Sequence, residues 1–104
     1  MKIAIASEKD NIESKVCPTA GRSPYYLIFE DKELDEKIKN PFAVGSGGAG
    51  FSVAQMLSDK KVEFVIAGKF GANMIPALED KGIKYKEVSG KTIKQALEEL
   101  QWKY

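Results

Sequence analysis

The sequence predicts an α/β domain of three layers, a mixed five-stranded sheet with helices on both faces. Three observations carry that expectation. The chain opens on a short apolar run, "KIAIAS"; two strand-like segments follow in hairpin spacing around Asp31 and Lys32; and beyond Pro41 helix-spaced segments alternate with short apolar runs. A hairpin followed by alternating units implies a mixed, mostly parallel sheet with crossover helices packed on its faces.

In "KIAIAS", Ile3 and Ile5 mark a buried first strand. Residues 8–24 are polar and include Pro18, Gly21 and Pro24, which predicts a long loop of the kind that carries function in small domains. "YYLIFE" is the second strand, with one of Tyr25 and Tyr26 facing inward. In "ELDEKIKN", Leu34, Glu36 and Ile38 alternate with Asp35, Lys37 and Lys39. That leaves too few apolar positions for a central strand and predicts an edge, where lysines discourage unwanted pairing.

After Pro41 and the glycine cluster, "FSVAQMLSDKK" sets Phe51, Val53, Ala54 and Leu57 at helical spacing. "VEFVIAG" is a further buried strand, with Val62, Phe64, Val65 and Ile66. "GANMIPALEDKG" brings Ile75 and Leu78 to one helix face, with Pro76 near its start and Gly82 as its C-terminal cap. "IKYKEV" is the last strand. In the last helix, "TIKQALEEL", Ile93, Ala96, Leu97 and Leu100 recur at i, i+3, i+4 and i+7, and Thr92 and Gln95 stand at capping-box spacing.

With 104 residues, the chain reads as one domain spanning 1–104. It has no apolar run of membrane-spanning length, and its amino terminus does not read as a signal peptide, so a cytoplasmic location is expected. Sixteen basic residues against fifteen acidic ones leave a net charge of +1. No electrostatic excess therefore points to nucleic acid or a membrane surface. The chain has no histidine, the commonest general base near neutrality, and its single cysteine, Cys17, rules out a four-thiolate metal site within one chain.

"VGSGGAGF" contains G-x-G-x-x-G at Gly45, Gly47 and Gly50. A dinucleotide fingerprint also needs a carboxylate at the end of the next strand, but that strand ends at Ala67, Gly68 and Lys69, with Glu63 at its other end. A phosphate loop fails because no Lys-Ser/Thr follows the last glycine. Two readings remain: Gly47, Gly48 and Gly50 let the backbone approach an anion at a helix amino terminus, or they form a tight turn that binds nothing. "AGKFGANM" repeats the arrangement with Gly68, Gly71 and Asn73. In an open α/β sheet the carboxyl ends of parallel strands line the ligand crevice, so Ser7, the glycine cluster and residues 68–73 are expected to converge on one site.

The blocks "AGRSPYYLIFE", "GSGGAGFSVAQML", "VEFVIAGKFGANMIPALEDKGIKYKEV" and "GKTIKQALEEL", taken together, resemble the dinitrogenase iron–molybdenum cofactor biosynthesis family, which includes NifX, NafY and the C-terminal part of NifB. The resemblance runs from Met1 to about Leu100. It implies a ribonuclease H-like motif in the mixed sheet and a carrier or assembly role rather than an enzyme. It also implies an iron–sulfur or iron–molybdenum-type cluster, or its precursor, as cargo, with cluster-assembly proteins as partners. Members often carry His-Phe-Gly-Arg ahead of the second strand; here the positions read Thr19, Ala20, Gly21 and Arg22, which keeps only the glycine and the arginine.

The candidate ligand-binding residues are Ser7, Cys17, Arg22, Gly47, Gly48, Gly50, Lys69, Gly71 and Asn73. Cys17, the one candidate metal ligand, either offers a thiolate to iron or across a homodimer, or is inert. Arg22, the only arginine, either clamps an anion with its fork of donors or pairs with a local carboxylate. Lys69 stands at the expected crevice mouth. Met56 and Met74 read as packing residues, and Trp102 as a cap on the core or on a partner surface. A hydrolase would need clustered carboxylates, and Glu8 is the only acid adjacent to the first strand's end. The alternative to a cluster carrier is a regulatory or interaction module that binds a nucleotide or another small anion.

Overall fold

A computed structural model of the chain describes residues 1–44 and 49–100. The elements are β1 (Lys2–Ser7), β2 (Tyr25–Glu30), β3 (Glu33–Lys39), α1 (Ala49–Asp59), β4 (Phe64–Ala67), α2 (Met74–Asp80), β5 (Lys84–Glu87) and α3 (Ile93–Leu100). They form one five-stranded sheet in the order β3-β2-β1-β4-β5. β1 pairs parallel with β4, and β4 with β5, whereas β2 runs antiparallel to both its neighbours. The neighbouring pairs are therefore split evenly, so the expected mostly parallel pairing is corrected: placing β2 between β1 and β3 makes two antiparallel ladders.

Strand alternation builds two cores. Ala4, Ala6, Tyr26, Ile28, Val65 and Ala67 face α1 and α2, where they meet Val53, Ala54, Leu57, Met74 and Leu78. Ile3, Ile5, Leu27, Phe29 and Ile66 face α3 and its Ile93, Ala96, Leu97 and Leu100. Small residues on one face of β1 and isoleucines on the other follow from the period of two. The result is the three-layer sandwich expected of a mixed sheet covered on both faces.

β3 is an edge strand, but its alternation is interrupted. Ile28 pairs with Glu36 and Phe29 with Leu34, so Asp35 is an extra residue in a bulge. Leu34 is thereby moved to the α3 side with Phe29, while Ile38 packs on the opposite core. The hairpin closes through Asp31 and Lys32, both with positive φ (50° and 75°), the pattern of a type I′ turn. α1 starts at Ala49, so its buried stripe is Ala49, Val53, Ala54 and Leu57, and Phe51 falls outside it at 60% exposed. At α3 the capping box is reciprocal: Thr92 N donates to Gln95 Oε1 at 2.9 Å and Gln95 N to Thr92 Oγ1 at 3.2 Å.

α1 and α2 end alike. Ile83 N returns to the Leu78 carbonyl at 2.9 Å past Gly82 (φ 71°), and Val62 N returns to the Leu57 carbonyl at 3.0 Å past Lys61 (φ 64°). Both bends need a left-handed residue, and only the second helix has glycine there. Lys61→Gly is expected to raise stability by about 1 kcal/mol in thermal unfolding, because it removes the Cβ strain at that bend.

Candidate functional site

Residues 8–24, which read as a loop, are anchored across the carboxyl ends of β1 and β4. Cys17 N donates to the Ala6 carbonyl and Gly68 N to the Cys17 carbonyl, each at 2.8 Å. Ala20 N then donates to the Lys69 carbonyl at 3.0 Å. This crossing brings Pro18 against Gly68 so closely that a Cβ on Gly68 would stand 2.6 Å from Pro18 Cα. The amino termini of α1 and α2 also meet: a Cβ on Gly50 would stand 2.9 Å from that of Met74. Two backbone-on-backbone contacts thus join three segments into one wall.

The wall encloses a cavity of about 580 Å³, lined by residues 18–22 of the loop, Ala49 and Gly50 of α1, and Lys69 and residues 71–74 of the β4–α2 turn. Of the expected site residues, Arg22, Gly50, Lys69, Gly71 and Asn73 line it. Gly47 and Gly48 lie outside the described residues, as does Trp102. Ser7 does not reach the lining: it is buried, its Oγ donates to the Lys9 carbonyl and its own carbonyl accepts Ser23 Oγ at 3.1 Å. Cys17 does not reach it either. Its backbone amide and carbonyl are both engaged, by Ala6 and Gly68, and its side chain is buried in the α1–α2 core, with Sγ 3.8 Å from Thr19 Oγ1.

Among the described residues the lining carries two cations, Arg22 and Lys69, and no carboxylate. Arg22 Nη1 donates to the Phe42 carbonyl at 3.2 Å, a backbone acceptor rather than the carboxylate considered from sequence. Neither Arg22 nor Lys69 forms an ion pair among the described residues. In the β4–α2 turn, Gly68 N and Phe70 N are engaged, the latter by Glu87 Oε2 at 3.2 Å, and Met74 N and Ile75 N return to the Gly71 carbonyl. The amides of Gly71, Ala72 and Asn73 have no partner among the described residues. Available donors are thus in the turn itself rather than in the first turn of α2. A Cβ on Gly71 would meet nothing within 4 Å, so that wall opens on free space.

Among the described lining residues there is no thiolate, imidazole or carboxylate for metal ligation, and the one sulfur is the thioether of Met74, 1% exposed. Among the described residues no group of three or more Cys, Asp or Glu stands together as a metal site. Among the described residues the lining thus presents cationic side chains and unpaired backbone amides, the donor types that pair with anions.

Sequence reasoning passed over the residues that hold this wall. Tyr26, fully buried, donates its hydroxyl to the Ala20 carbonyl, and Asn40 donates to the carbonyls of Gly21 and Ser23. Asn40's partners stand 17 and 19 residues earlier, and Tyr26 bonds across the loop to Ala20, so only the inward position of one tyrosine was a usable signal. Burial pushes the Tyr26 phenol far above its ordinary value of 10.0, and Cys17 beside it adds to the rise. A proton held more tightly in the folded chain contributes stability that is complete below the unfolded pKa and lost as pH rises past it. Between about pH 10 and 11 the natural chain should lose roughly 1 kcal/mol more than Tyr26→Phe, as measured by urea denaturation.

The sequence pattern of the family described as dinitrogenase iron–molybdenum cofactor matches residues 1–103. The chain belongs to that family. Two solved structures share the family member's fold. The apo form of the orange protein from Desulfovibrio gigas is 26% identical with a TM-score of 0.90, over 95% of this chain and 85% of that one. A NifB candidate from Thermotoga is 29% identical with a TM-score of 0.79, over 95% and 84%. No curated protein matches the chain significantly. No helix among the described residues is long and apolar enough to cross a membrane.

Proposed function

We propose that the protein is a non-catalytic carrier that holds an anionic iron–sulfur or iron–molybdenum-type cluster, or its precursor, in the cavity between the loop and the two helix starts. The observation that carries this reading is a cavity of about 580 Å³ lined by Arg22 and Lys69 and, among the described residues, by no acid. Membership of the cofactor family supplies the class of anion. With no ligating side chain presented among the described residues beyond a buried thioether, the cargo arrives with its own sulfide or thiolate ligands and leaves without a protein bond being broken. Arg22 and Lys69 balance its charge, and the free amides of the β4–α2 turn donate to its outer sulfurs. Its partners are the cluster-assembly proteins that load and unload it in the cytoplasm. Ser7 and Cys17 support the cradle from behind.

Anaerobic titration with a water-soluble synthetic [4Fe–4S] cluster bearing thiolate ligands tests the proposal. The expected result is a charge-transfer absorbance band that coelutes with the protein in gel filtration. If the cluster elutes separately while nucleotides raise the melting temperature, the protein is a nucleotide-binding module instead.

A further inference from the structure

Arg22 stands between two peptide groups that are held by one buried side chain. Asn40, 5% exposed and next after β3, donates Nδ2 to the Gly21 carbonyl at 3.2 Å and to the Ser23 carbonyl at 2.8 Å. These are the residues on either side of Arg22. Asn40 Oδ1 accepts the Phe42 amide at 2.9 Å, and the Phe42 carbonyl in turn accepts Arg22 Nη1. The Asn40 backbone is itself fixed, its amide donating to the Pro24 carbonyl at 2.9 Å. A single carboxamide therefore sets both the backbone that carries Arg22 and the acceptor that steadies its guanidinium.

The chemistry demands an amide here. Two carbonyls need two N–H donors on one atom, and the Phe42 amide needs an acceptor on the other; asparagine supplies both within one short side chain. Aspartate would put a charged acceptor against two carbonyls, and serine has a single donor. A guanidinium has five N–H donors, and tethering one leaves the rest free in a fixed plane. Holding the side chain in place before the ligand arrives reduces the ordering cost of binding.

We infer that Asn40 is a positioning residue that preorganises Arg22 for anion capture, an inference that rests on the proposed reading of the cavity as an anion site. Its contribution to binding passes through Arg22 and not through Lys69. Two measurements separate this role from mere stabilisation. In a double-mutant cycle with the synthetic [4Fe–4S] cluster, Asn40→Ser and Arg22→Gln should each weaken binding about tenfold, and the double variant should weaken it no further. Lys69→Gln should instead multiply with Asn40→Ser. Equal multiplication with both cations, or no effect of Asn40→Ser on binding, overturns the inference.

The second measurement needs no ligand. The ¹⁵N heteronuclear Overhauser effect at Arg22 Nε should report an ordered side chain in the natural protein and a mobile one in Asn40→Ser, with the core amides of β1 and β4 unchanged. An Arg22 Nε signal equally ordered in both overturns the positioning role, even if the cluster binds to neither protein. If the cluster does not bind but Nε loosens as expected, the positioning stands and the proposed cargo fails.

Discussion

Gly68→Ala is expected to destabilise the protein by about 3 kcal/mol, the upper part of the range for forcing an atom into a packed site. The added Cβ would stand 2.6 Å from Pro18 Cα and 2.9 Å from the Pro18 carbonyl oxygen, and both are backbone atoms with no rotamer to yield. Moving apart would stretch the Gly68–Cys17 hydrogen bond that ties the loop to β4. For a domain of this size the melting temperature should fall by roughly 15 °C in a thermal scan. Gly71→Ala is the matched control. Its Cβ meets nothing within 4 Å, so stability should hold or rise by about 0.5 kcal/mol through a less flexible unfolded chain. Equal destabilisation by the two variants would contradict the packing described for the cavity wall.

The largest effect on binding is expected from removing both cations. Arg22→Gln together with Lys69→Gln should weaken uptake of an anionic cluster by about a hundredfold or more, since each charge-assisted contact contributes roughly 1.5 kcal/mol at least. The melting temperature should change little. Lys69 has no ion pair to lose among the described residues, and Arg22 gives up one hydrogen bond to a backbone carbonyl. Binding by the single variants should become less dependent on salt, because screening acts on the charges that have been removed. A double variant that binds as the natural chain does would leave the cavity without an electrostatic role.

The layers of the fold were legible because each is written in local pattern. α3 carries its buried stripe and its capping box within nine residues, and β1 shows two apolar faces at a period of two. The bulge in β3 was hidden because the sequence from Leu34 to Lys39 alternates without interruption. Only pairing with Phe29 shows that Leu34 belongs to the other face. The site was half legible for a related reason. Glycines and strand ends marked Gly50, Lys69 and Gly71, but one wall of the cavity comes from residues 18–22, whose place depends on backbone bonds to β1 and β4. Cys17 illustrates the limit: its chemistry suggested a ligand, while the two backbone bonds on either side of it leave the thiol in the core. Asn40 looked like the end of an edge strand, since its partners stand 17 and 19 residues earlier.

In the proposed function an anionic cluster is seated between the loop bearing Arg22 and the starts of α1 and α2. Paramagnetic mapping by ¹H–¹⁵N correlation spectra tests it most directly, because a bound [4Fe–4S] cluster broadens the amides nearest to it. Broadening is expected at Gly21, Arg22, Gly50, Gly71, Ala72 and Asn73, with α3 and the depression lined by Gly90, Lys91 and Glu99 untouched. Broadening centred on α3, or spread evenly over the surface, would contradict it.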